Sequence, residues 1–238
     1  MPTLPQLLSQ LQFISYETAL LGLFITAGLI LVSRDWRLLI LALLTQYILV
    51  GLILSRLVQP DIAVLRILVG AFICPILFLS ARQVAATPLS IAEMLPQQHG
   101  GSHPGWRQKL SFGKFLLGST DRYNFAATGF YFRLFLTFLL ILITTTLSKT
   151  FPLPGLAPAI TTAVYWLALA GLVTLMLTET PIKAGIGLFT VLTGFGFYYA
   201  TLESSLLLTG LLGTVNLMLA LSLGYLIVVR GTGPEGGR

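Results

Sequence analysis

The chain has 238 residues, of which 55% are hydrophobic and only 9% charged. An ordinary soluble domain carries about a quarter charged residues, and surface-to-volume scaling would force much of this apolar surface into water. A soluble globular domain is therefore excluded, and the chain reads as an integral membrane protein.

A bilayer-spanning helix needs about 20 mostly apolar residues. In chain order the stretches that qualify are Ile14–Ser33, Leu38–Leu57, Ile62–Ala81, Thr128–Ser148, Ile160–Leu177, Ile182–Thr201 and Ser205–Val229. Residues 1–83 thus form an N-terminal three-helix unit, and 84–127 a polar cytoplasmic insert rich in Gly and Pro. Residues 128–148 form a linking helix and 149–238 a C-terminal three-helix unit. The expected fold is an all-α polytopic bundle of about seven transmembrane helices.

The formal net charge is +6 and the pI about 9.7. The cations sit in short clusters between apolar runs, the pattern of membrane loops and not of a nucleic-acid face. Alternating the loops puts Arg34, Arg37, Arg82, Arg107, Lys109, Lys114, Arg122, Arg133, Lys183, Arg230 and Arg238 on one side, and Arg56, Arg66 and Lys149 on the other. That asymmetry predicts an outside N-terminus and a cytoplasmic C-terminus. Residues 1–16 contain no Lys or Arg, so the charged region of a cleavable signal peptide is missing.

A shift of 143 residues places Ala27-Gly28-Leu29 on Ala170-Gly171-Leu172, Gly51 on Gly194 and Gly70 on Gly213. If this is a true repeat, the first three and last three helices are parallel copies, and the linking helix restores their common direction.

The motifs of soluble enzymes are missing: there is no P-loop, dinucleotide fingerprint, HExxH or CxxC pair, and no catalytic residue or cofactor is expected. His99 and His103 have helical i,i+4 spacing, but Gly100, Gly101 and Pro104 disfavour a helix there. In the insert, Trp106-Arg107-Gln108-Lys109-Leu110 and Phe112-Gly113-Lys114-Phe115 interleave cations and aromatics, as an interfacial segment on anionic lipid does. A docking site for a soluble partner is the alternative.

Six intramembrane polar or interface positions stand out. Arg66, about one turn inside the outer surface, either snorkels to the headgroups, meets Asp61 or Glu203, or acts at a subunit contact. Gln46, beside Tyr47, interrupts the second span and is expected to bond to neighbouring helices, and Asn216 does the same in the last span. Glu179 and Lys183 have the i,i+4 spacing of a local ion pair. Cys74, the lone cysteine, precedes Pro75 mid-helix and reads as a kink, not a redox centre.

The run "LALAGLVTLMLTETPIKAGIGLFTVLTGFGFYYA" followed by "LLTGLLGTVNLMLALSLGYLIVVR" resembles the three-helix K subunit of NADH:quinone oxidoreductase. It is also similar to the C subunit of multisubunit cation/proton antiporters. Across the whole chain, including "LRILVGAFICPILFLSARQ", the resemblance is to the E subunit of hydrogenase-4-type complexes, which ends in the same kind of unit. The polar insert is not part of that pattern. Nor are two residues: where the family has a carboxylate after a Gly-Leu pair, Gly187-Leu188 is followed by Phe189, and the second acidic place holds Asn216. A carboxylate exchanges protons, whereas Phe cannot and an amide effectively does not, which argues against proton transfer through these positions. The resemblance implies an accessory membrane subunit of a proton- or cation-translocating complex that scaffolds and seals antiporter-like subunits. A membrane subunit of another photosynthetic or respiratory complex, or a stand-alone transporter, stays open.

Overall fold

The computed structural model describes residues 16–33, 35–94, 123–178, 180–203 and 205–232; side chains at 16, 85–94, 123–128 and 231–232 lie outside the description. Among the described residues seven helices follow in order: α1 (Tyr16–Val32), α2 (Trp36–Leu57), α3 (Pro60–Met94), α4 (Tyr123–Thr150), α5 (Pro158–Met176), α6 (Pro181–Leu202) and α7 (Leu206–Thr232). Six of them are long and apolar enough to cross a membrane. The remaining one, α1, has 17 described residues, or about 26 Å at 1.5 Å per residue, just short of a 30 Å hydrocarbon core. The chain is an all-α polytopic bundle.

Local sequence sets the helix boundaries. Pro60, Pro158 and Pro181 each stand at a helix start, where proline's missing N–H costs nothing and its fixed φ fits. Between α4 and α5 the chain turns at Gly155, whose φ of 78° is accessible to glycine without a Cβ clash. Two expected boundaries move. The insert begins inside α3, which continues as helix to Met94, and α4 starts at Tyr123 instead of 128. His99, His103, Trp106 and the basic-aromatic run lie outside the described residues.

The two three-helix units stand side by side, with α1 against α5, α2 against α6 and α3 against α7. Along α3 and α7 the contacts advance together: Leu65 lies by Gly210, Val69 by Gly213 and Ser80 by Gly224. These helices are therefore parallel, with a register close to the 143-residue shift. The repeated glycines do not share roles, however. Gly51 faces Ala63 and Ile67 on α3, whereas Gly194 faces Leu167 and Ala168 on α5. α4 lies outside this double layer, against α1 and α5, and of residues 129–150 only Leu140 and Thr144 are buried.

Small residues bring the helices close, as membrane packing without a hydrophobic driving force requires. A Cβ at Gly171 would stand 2.7 Å from the Gly187 carbonyl oxygen, and one at Gly187 would stand 3.0 Å from that of Gly171. This backbone-to-backbone contact is the junction of α5 with α6. The hydroxyls of Thr174, Thr190 and Thr193 donate to carbonyls four residues earlier at 2.7–2.8 Å, so these buried groups are satisfied within their own helices.

Candidate functional site

The interior polar site is built around Arg66, on the first two turns of α3 and only 6% exposed. Its guanidinium crosses to α6, where Nη2 donates to the carbonyl oxygens of Thr193 at 2.8 Å and Leu192 at 3.3 Å. A carbonyl has two lone pairs, so each can accept a helical N–H and a guanidinium N–H together. Space for the group exists because residue 196 is glycine; a Cβ there would stand 2.7 Å from Arg66 Cζ.

The remaining walls come from α2 and α7. Tyr47, 1% exposed, lies across Gly70, where a Cβ would meet the tyrosine Cδ1 at 2.9 Å. Together with Leu65, Val69, Thr209, Gly213 and Asn216, Tyr47 and Arg66 enclose a cavity of about 10 Å³. That is the least space that holds one water, and a buried water needs two to four polar partners. Arg66 Nε is buried without a hydrogen-bond partner. The site can thus hold a fixed cation, donors and acceptors, and a single water-sized guest.

The placement of the six expected positions is mixed. Arg66 and Asn216 meet at this cavity. Arg66 turns inward and does not snorkel, and its partners are backbone carbonyls, not Asp61 or Glu203, both of which are exposed. Gln46 is fully buried one residue from Tyr47, yet its Oε1 and Nε2 have no hydrogen-bond partner, contrary to the expected interhelical bonds. Lys183 is half-buried in the first turn of α6, away from the cavity lining. Glu179 lies outside the described residues, so the expected Glu179–Lys183 pair does too. Phe189 is fully buried in a core cluster shared with residues of α1, α2, α3 and α7.

Sequence reasoning missed two features. Gly196 and the carbonyls of Leu192 and Thr193 carry no mark of an arginine receptor, because backbone acceptors exist at every residue. The other is Trp166 on α5, 1% exposed, whose Nε1 donates to the Phe24 carbonyl of α1 at 3.2 Å while its ring stacks on Phe24 at 5.5 Å. It ties the two units together as Arg66 does, through a side-chain donor on a neighbouring backbone. Among the described residues no group of His, Cys, Asp and Glu is placed to hold a metal ion. Comparison with protein-family models, with curated proteins and with solved structures finds no match for this chain.

Proposed function

We propose that the chain is a non-catalytic membrane subunit of a proton- or cation-translocating assembly, where it scaffolds and seals larger antiporter-like subunits. In this reading it sits in the energy-converting plasma membrane, with its N-terminus outside and its C-terminus cytoplasmic. The observation that carries it is the Arg66 site. A stand-alone transporter needs a midplane cavity for its substrate, whereas the cavity beside this guanidinium is about 10 Å³. A permanent cation beside a one-water cavity repels protons and metal cations, which is how a pore is closed to them.

The outer surface carries exposed apolar faces on two helices. Phe130, Tyr131, Phe132, Phe135 and Phe138 of α4 are 49–69% exposed, and Leu207, Leu211, Val215, Met218 and Tyr225 form an exposed stripe along α7. Such faces pack equally well against lipid or against another apolar helix.

The test is to tag the chain at its C-terminus, extract the membrane in a mild detergent and identify what co-elutes on size exclusion. A stoichiometric heteromer with large polytopic subunits is expected, together with loss of cation-coupled proton movement in vesicles when this chain is deleted. A homogeneous single chain that transports a solute after reconstitution would overturn the reading.

A further inference from the structure

We infer that the groove between α1 and α4 is a binding site for an anionic phospholipid of the leaflet at the α1 C-terminal end. The groove is lined by α1 residues Ile25, Gly28, Leu29 and Val32, by α4 residues Phe130, Arg133, Leu134 and Thr137, and by Ser33 and Leu38, and it encloses about 670 Å³. That volume falls in the range of about 300–1,000 Å³ typical of ligand sites.

Its depth falls within one leaflet. From Val32 inward to Ile25 is seven residues of helix, about 10 Å at 1.5 Å per residue. The groove therefore starts at the membrane border and stops about a third of the way into a 30 Å hydrocarbon core, inside one leaflet. An acyl chain entering from that border can lie along such a slot, whereas a transmembrane helix spans the whole core.

Charge selects the headgroup. Arg133 is the one charged residue in the lining and stands about a turn inside the border, close enough for its guanidinium to reach the phosphate level. Exposed Arg37, beside the groove residue Leu38, adds a second cation at the same end, stacked over Trp36 at 5.2 Å. Asp35 is exposed in the same loop, so the local balance is two cations to one anion among the described residues. A basic pocket between transmembrane helices is the arrangement that holds anionic lipid headgroups.

Trp166 supplies the probe. The floor of the groove at Gly28 lies against its ring, which a Cβ would approach to 3.8 Å, while the ring itself is 1% exposed. The full-length protein, with Trp36→Phe and Trp106→Phe to leave this single indole, is placed in nanodiscs containing increasing brominated phosphatidylglycerol or brominated phosphatidylcholine with identical acyl chains. The expected result is saturable quenching of Trp166 fluorescence that favours phosphatidylglycerol by about fivefold in half-saturating fraction, the increment one cation beside an anionic headgroup supplies. Arg133→Gln should remove the preference, Arg133→Lys should keep it, and Gly28→Leu should suppress quenching by both lipids. Equal quenching by the two lipids in the unsubstituted groove would overturn the inference, showing only bulk lipid there. So would no quenching by either, showing the groove filled by protein.

Discussion

Gly196 of α6 and Arg66 of α3 form a matched pair: the guanidinium occupies the volume that a side chain at 196 would take. Gly196→Ala should push the group off the Leu192 and Thr193 carbonyls and cost about 1–3 kcal/mol, the range for overpacking a fitted site. In an Arg66→Ala background the same substitution should be neutral or slightly stabilising, because alanine is the better helix former by about 0.5–1 kcal/mol. A double-mutant cycle on unfolding in mixed detergent reads this coupling. Additive effects would mean that the two residues do not share the space.

Replacing the arginine itself should give an order opposite to that of a surface cation. A snorkelling residue would accept lysine. Here Nη2 bridges two carbonyls in a buried site, and a compact, strongly hydrated ammonium fits such a site less well than guanidinium does. Arg66→Lys should therefore lose about 1.5–3 kcal/mol, the worth of hydrogen bonds made by a charged group. Arg66→Met should be tolerated better, since swapping a buried charge for an apolar side chain of similar volume is often neutral. The measurement is the fraction of folded monomer surviving a heat step on fluorescence-detected size exclusion, and a lysine variant as stable as wild type would contradict it.

Gln46 offers a gain-of-stability test. Both polar atoms of its side chain are fully buried and unpartnered, and an unsatisfied buried group costs about 1–3 kcal/mol. Gln46→Met keeps the length and removes the polarity, so its unfolding midpoint should rise in the isolated chain. A fall would show that the amide is satisfied in the folded protein after all.

Topology can be read at described positions. Cys74 is 3% exposed, and a Cys74→Ser background removes it from labelling altogether. Lys149→Cys and Arg37→Cys are both exposed and sit at opposite ends of the bundle. In intact cells a membrane-impermeant maleimide should label position 149 and spare position 37. The reverse pattern would invert the proposed orientation.

The helices were legible because length and hydropathy report a span directly, and all seven expected stretches overlap a helix. Which face of each helix turns inward was not. A membrane helix is apolar on the lipid side and on the protein side alike, so periodicity carries little information about burial. Arg66 shows the consequence. Its depth was evident from its position, but its direction around α3 depends on a glycine 130 residues away and on carbonyls that no side chain announces. Asn216 stands out by its residue type and by its place in the resemblance, whereas its position at the Arg66 cavity follows from the parallel seating of α7 on α3. The extension of α3 to Met94 was hidden because Pro88, of a type disfavoured in a helix interior, stands within it.

The depth of the buried guanidinium has an electrical consequence. Six residues into α3, it sits about 9 Å from the helix start, roughly a third of the way across a 30 Å core. A unit charge crossing the whole membrane gains or loses about 2.3 kcal/mol per 100 mV, so at this depth the field contributes about 0.8 kcal/mol per 100 mV. In the proposed orientation, with the N-terminus outside, a negative interior would favour the buried cation and draw α3 inward. The bonds to Leu192 and Thr193 pass that pull to α6, placing this pair of helices under a load that appears when the membrane is energised and vanishes when it is not.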